Sequence, residues 1–205
     1  MTNKLRLGFL ASHGGTNLQA ILAACAAGKL HAEPRVIISN NSASGALARA
    51  RLAGVPVVHL SGQTHPEPKE LDRAICAALS ESESQVVCLC GYMKRLGNST
   101  LSAFDGRILN IHPALLPKFA GQGFYGAAVH AAVLAAGEQE SGATVHLVDA
   151  EYDTGPIVAQ KKVPVLANDT PEELAARVLS QEHLLYADTL QRIATGEIEL
   201  PGLER

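Results

Sequence analysis

Short apolar runs alternate with helix-patterned segments along the first half of this chain, and that alternation restricts its fold more than any other feature. Residues 5–10, 35–39, 55–60 and 85–90 read as strands. Helical stretches at 18–27, 46–53 and 69–79 lie between them, so that a strand recurs roughly every twenty to thirty residues. Repetition of that unit predicts a parallel sheet with right-handed crossovers. Residues 85–90 are apolar without alternation, as in a strand buried on both faces. The expectation is a single α/β domain over residues 1–205, a mostly parallel twisted β-sheet flanked by helices.

Polar residues interrupt this pattern where strands end. Residues 108–111 form an apolar strand that Pro113 and Pro117 terminate. Asn110 and His112 are two apart, so on an extended chain they point the same way. An amide and an imidazole at a strand's carboxyl end sit where open α/β sheets bind ligands. The amide can donate to an oxyanion and the imidazole can move a proton near neutral pH. A histidine capping a turn beside a proline would look the same in sequence. Upstream, the first strand runs into Ser12-His-Gly-Gly-Thr-Asn17 and then a helix. Such a turn aims free N–H groups at a ligand, although it has the spacing of neither a Walker loop nor G-x-G-x-x-G. By itself it reads equally as a tight strand-to-helix connection.

Further on, strands at 144–149 and 157–163 flank a loop that holds Asp149, Glu151 and Asp153, among which composition does not choose. Residues 118–126 carry three glycines and two aromatics without periodicity and are expected to be a loop able to close over a substrate. His130, on the helix at 127–136, is expected to be a solvated or half-buried bystander. A final helix to about residue 194 opens on Thr170, Pro171 and Glu173, which form a capping box. Gln181-Glu182-His183 breaks its apolar face, and from the pattern alone Glu182 is a surface charge.

A net charge of −3 and a sequence pI near 6.2 give no footprint for nucleic acid or a membrane surface. No apolar run reaches the length of a membrane span, and residues 1–4 do not begin a signal peptide. Cys25, Cys76, Cys88 and Cys90 lack metal-site spacing and read as reduced core residues of a cytoplasmic protein.

Asn110-Ile-His112-Pro-x-Leu-Leu-Pro117 resembles the motif of the formyltransferases that use 10-formyltetrahydrofolate. The 12–17 turn with Leu-Gln-Ala after it, and Thr-Val-His-x-Val-Asp-x-x-x-Asp153-Thr-Gly-Pro156, are similar to two further motifs of that family, in its glycinamide ribonucleotide branch. Together they cover the chain from Leu5 to about Tyr186. The resemblance implies the formyltransferase fold, Rossmann-like in its first half, and small-molecule substrates with no metal. It implies Asn110, His112 and Asp153 as catalytic residues, with His112 a general acid that Asp153 keeps charged and His146 in support. Gly15, Thr16, Asn17 and Glu182 would hold the ribonucleotide's phosphate and sugar. Met93, Lys94, Arg95, Leu96, Asn110, Asp149, Ala150 and Asp153 would hold the folate, with Lys69 a candidate for a further cationic contact. Lys94 stands where the family commonly has Arg, and His13 where it commonly has Gly. Relatives that act on methionyl-tRNA or sugar nucleotides, or that hydrolyse the folate, are the alternatives, with a non-catalytic folate-binding module beside them. Extra domains of the tRNA enzyme and the hydrolase are not expected in 205 residues. A monomer or homodimer is expected.

Overall fold

A computed structural model describes residues 4–121, 123–124 and 126–203. The order of elements is β1 (Leu5–Ala11), α1 (Thr16–Ala26), β2 (Ala32–Ser39), α2 (Gly45–Leu52), β3 (Val57–His59), α3 (Pro68–Glu81) and β4 (Val86–Leu89). There follow α4 (Asn98–Ala103), β5 (Ile108–His112), α5 (Ala127–Ala135), β6 (Glu140–Leu147), β7 (Ile157–Pro164) and α6 (Pro171–Thr195). The strands form one seven-stranded sheet in the order β3-β2-β1-β4-β5-β6-β7. β1 to β5 pair in parallel, while β6 pairs antiparallel with both β5 and β7. The single α/β domain with a mostly parallel sheet is therefore as the sequence predicts.

Two apolar layers cover the sheet. On one face Leu7, Phe9 and Ala11 of β1 meet Leu18 and Ile21 of α1 and Val178, Tyr186 and Leu190 of α6. On the other, Leu10, Val87 and Ile108 meet Ile75 and Leu79 of α3. Gly8 faces α3 so closely that a Cβ would meet Leu79 at 2.6 Å, which explains a glycine inside a buried strand. The outer strand β7 carries Lys161 and Lys162 exposed, a charged rim that discourages pairing with other chains.

Two strand boundaries, one helix and one burial differ most from expectation. β2 begins at Ala32, three residues early, because the sheet tolerates Pro34 at a register shift opposite Leu7 and Gly8. β6 begins at Glu140 and ends at Leu147, since its pairing with β7 recruits the polar Glu140 and Ser141. The segment after β4 contains an unpredicted helix, α4. Its own sequence has no cap; Asp72 on α3 accepts hydrogen bonds from Ser99 N at 2.7 Å and Thr100 N at 3.2 Å. Buried Asp72 thus serves as an N-cap supplied from another helix. His130 is buried at 4% exposure rather than solvated.

The capping box of α6 forms as read. Thr170 Oγ1 accepts from Glu173 N at 3.2 Å, and Glu173 Oε2 accepts from Thr170 N at 2.9 Å. Thr170→Ala is expected to lower stability by about 1 kcal/mol and the melting temperature by roughly 2–4 °C for a domain of this size. A thermal melt unchanged within error would show that this cap contributes nothing.

Candidate active site

The antiparallel junction of β5 and β6 builds the site. Asn110 lies directly opposite His146, and His112 opposite Thr144, so all four side chains share one face of the sheet. Thr144 is fully buried and secures the turn after His112. Its hydroxyl donates to Ala114 O at 2.6 Å and accepts from Leu116 N at 3.1 Å. Asp153 arrives from the loop between β6 and β7. That loop folds back tightly: Leu147 N donates to Pro156 O at 2.9 Å, and a Cβ on Gly155 would overlap the Leu147 carbonyl. Asp149 braces it from within by accepting from Glu151 N at 3.0 Å and Thr154 Oγ1 at 2.9 Å.

The Asp153 carboxylate meets both imidazoles, with Oδ2 3.5 Å from His112 Nδ1 and Oδ1 3.5 Å from His146 Nε2. Gly121 N also donates to Oδ2 at 3.0 Å. Carbonyl oxygens accept only, so they fix the tautomers of the neutral rings. His112 Nε2 must carry a proton toward Phe119 O at 2.8 Å, and His146 Nδ1 one toward Leu147 O at 2.8 Å. His146 Nε2 is then an acceptor for Asn110 Nδ2 at 3.0 Å, which leaves the other amide proton of Asn110 unspent.

Burial dominates the electrostatics. His112 has its pKa lowered, chiefly by desolvation; Asp153 and the Phe119 carbonyl push it up without compensating, and His146 pushes it down. Asp153 thus acts in the expected direction, raising the His112 pKa toward the charged ring, but burial is the larger influence. Asp153 itself is held below the ordinary carboxylate range. Burial opposes that, but the His146 and His112 imidazoles and Gly121 N around its two oxygens outweigh it.

Asn110, His146 and Asp153 line a cavity of about 80 Å³ whose other walls include Leu89, Tyr92, Lys94, Arg95, Leu96, Val148, Asp149, Ala150 and Tyr152. His112 lies behind this wall, not on it. Arg95 closes one side, donating to Ala150 O, lying 3.6 Å from Glu151 and sitting 5.4 Å over the Tyr152 ring. Of the predicted folate contacts, Met93 does not line the cavity, and its side chain is exposed. Lys69 is exposed on the first turn of α3 and is not among the lining residues. Tyr92 was missed by sequence reasoning; it is buried, with its hydroxyl pushed up to about 12 mainly by that burial. A larger hollow of about 240 Å³ behind residues 115–119 contains none of the predicted site residues. In the 118–126 loop, Gln122 and Tyr125 lie outside the described residues.

The 12–17 turn lies between the end of β1 and the start of α1. Gly15 is left-handed (φ 69°) and packs where a Cβ would meet Ala46 at 2.8 Å, so only glycine fits. No side chain caps α1, which leaves its first N–H groups at Thr16 and Asn17 available to an anion. Glu182 departs from the surface charge that its helix pattern suggests. It is buried, its pKa is raised by desolvation, and Oε2 accepts from Asn17 Nδ2 at 2.7 Å. Among the described residues no group of three or more His, Cys, Asp or Glu is placed to hold a metal, and no helix is long and apolar enough to cross a membrane.

Two imidazoles sharing one carboxylate beside a side-chain amide on the wall of a small cavity are groups that a group-transfer enzyme could use. The chain matches the formyl transferase family over residues 5–190 and belongs to it. It is 37% identical to phosphoribosylglycinamide formyltransferase of Escherichia coli (strain K12) over 93% of this chain and 88% of that protein. It is 44% identical to the chloroplastic phosphoribosylglycinamide formyltransferase of Vigna unguiculata over 94% of this chain, and spans 62% of that relative's length. Glycinamide ribonucleotide transformylase 1 from Symbiobacterium toebii superposes with a TM-score of 0.90 at 39% identity, covering 99% of this chain and 93% of that one.

The neutral ring of His112 adds stability that is complete above its ordinary value of 6.5 and is lost as pH falls below it toward the lowered folded value. Because Asp153 acts to raise that value, Asp153→Asn is expected to lower the His112 pKa further. An NMR titration of the ring reads this directly, and a pKa that rises in the variant would contradict the assignment of charges.

Proposed function

We propose that this protein transfers the formyl group of 10-formyltetrahydrofolate to the amine of 5'-phosphoribosylglycinamide, a step of purine biosynthesis. The observation that carries the reading is the convergence of Asn110, His146 and Asp153 on one cavity wall with His112 directly behind Asp153. The folate's pterin would occupy the slot between residues 94–96 and 149–153. The ribonucleotide's phosphate would rest on the α1 turn at Gly15, Thr16 and Asn17, and its sugar hydroxyls would meet Glu182. Small molecules are the only partners this reading needs. It places the protein, as monomer or homodimer, in the cytoplasm, which its free cysteines suit.

In this mechanism the amine nitrogen uses its lone pair to bond the formyl carbon, and the carbonyl π electrons move onto oxygen. The free amide proton of Asn110 stabilises that oxyanion. The nitrogen, now cationic, loses a proton, which passes across Asp153 to the bare Nδ1 of neutral His112. Asp153 then holds the imidazolium it has helped to form. Collapse re-forms the carbonyl and breaks the bond to the folate nitrogen N10, which keeps the electron pair and receives the proton back from His112. A lowered His112 pKa suits the first half of this cycle, and the Asp153 carboxylate suits the second. His112 is thus base and then acid, with the acid role falling after amine attack.

Loss of formyl from 10-formyltetrahydrofolate, followed with and without the ribonucleotide, tests the function. Ribonucleotide-dependent turnover is expected. Loss that ignores the ribonucleotide would indicate a hydrolase, and its absence would overturn the proposal. His112→Ala is expected to reduce turnover by roughly a hundredfold to ten-thousandfold while the protein stays folded. A variant that turns over near the wild-type rate would remove His112 from the mechanism.

A further inference from the structure

Strand order in the sheet reverses between β1 and β4, and Ser12, the first residue after β1, lies at that reversal with 1% exposure. It makes two bonds to the loop after β4. Its N–H donates to Gly91 O at 3.0 Å, and its hydroxyl accepts from Met93 N at 2.8 Å. Three residues beyond Ser12 is Gly15, at the anion cradle. Met93 is flanked by Tyr92 and Lys94, both on the wall of the pterin slot. Tyr92 anchors the loop in the core and Arg95 is tied to Ala150 O, but the side chains of Met93 and Lys94 between them are exposed, so packing does little to hold the Met93 peptide. Its far end is held separately by Asp72 through Ser99 and Thr100.

Resting on the functional reading above, we infer that Ser12 couples the two substrate subsites, so that a ribonucleotide on the α1 turn raises the affinity of the protein for folate. A loop with exposed side chains must lose conformational freedom when a ring system packs against its backbone. A phosphate held by the N–H groups of the turn fixes the turn and Ser12 with it. The hydroxyl then holds the Met93 peptide where the slot requires it, and the folate meets a loop already ordered. The effect is reciprocal: folate tightens ribonucleotide binding by the same factor. Ser12 contacts neither ligand in this scheme. It is a positioning residue, and its Gly91 bond, made by the backbone, survives truncation of the side chain.

Calorimetric titration of tetrahydrofolate, which has no formyl group to transfer, reads the coupling with and without saturating ribonucleotide. In the wild type the ribonucleotide is expected to tighten tetrahydrofolate at least about fivefold, the lower end of common coupling strengths. In Ser12→Ala that ratio is expected to fall to about one, with the protein folded by thermal melt. Asp72→Asn, which loosens the same loop from its other end, is expected to weaken folate binding equally in both titrations and to keep the ratio. A wild-type ratio of one, a ratio that persists in Ser12→Ala, or its loss in both variants would overturn the coupling role. None of these outcomes depends on turnover, so a failed formyl-transfer assay sinks the functional reading separately.

Discussion

The reversal of strand direction at β6 is the constraint on which the site depends. In the parallel part of the sheet every strand delivers one carboxyl end to the binding edge, and the polar residue it contributes stands alone. Pairing β6 antiparallel to β5 instead sets two residues of one strand rung by rung against two of the other. Asn110 gains His146, and His112 gains Thr144 with its turn-fixing hydroxyl. The same reversal leaves the carboxyl end of β6 beside the amino-end half of β5, with Leu147 opposite Leu109, so the β6–β7 loop has to fold back to bring Asp153 to His112 and His146. Gly155 permits that return because no Cβ intervenes against Leu147 O. Asp153 sits there at φ 58°, a left-handed conformation that Asp tolerates better than most residues. The strain is consistent with a position fixed by what its carboxylate must reach.

Placing these groups together out of water has opposite consequences for the three carboxylate and imidazole centres. Desolvation is the largest influence on each of His112, Asp153 and Glu182. Only Asp153 overcomes it, because two imidazoles and the Gly121 N–H converge on its two oxygens. His112 has one carboxylate beside it and a second histidine opposing, and remains shifted toward the neutral form. Glu182 has Asn17 alone and stays raised. The number of partners, more than their charge, thus sorts the one group whose charged form is favoured, Asp153, from the two whose charged forms burial disfavours. Buried His130 adds to the pattern: its pKa is lowered by burial first and then by His112 nearby.

Much of this was legible in the sequence because it is local. The strand–helix alternation, the Thr170 capping box and the shared face of Asn110 and His112 follow from periods of two and 3.6 residues and from turn chemistry. The unpredicted features all draw a partner from far away. α4 exists because Asp72, some 27 residues upstream, supplies its cap. Pro34 enters β2 because β1 shifts register beside it. Glu182 interrupts an apolar helix face as a charge would on a surface, yet it is buried because Asn17 lies 165 residues away in sequence and 2.7 Å away in space. Periodicity carries no information about such pairs. Motif resemblance could name Glu182, but only the fold shows that it is desolvated.

That long-range pair also explains how the two halves of the site keep their spacing. α6 packs on α1 and on β6 through Val178, Tyr186 and Leu190, all fully buried. One turn after Glu182 reaches the α1 cradle, Tyr186 donates its hydroxyl to Leu109 O at 2.9 Å. Leu109 immediately precedes Asn110, so one helix is tied at one turn to the anion turn and at the next to the reacting strand. Leaving the Leu109 carbonyl without its donor would cost about 1–3 kcal/mol in this dry setting, enough to keep the tie closed in the folded state. Asn17 and the Leu109 carbonyl are therefore held by residues one helix turn apart on α6, about 5.4 Å along its axis, within the packing around it. A loop could not hold two subsites to such tolerance. A buried helix with a polar residue aimed at each of them can.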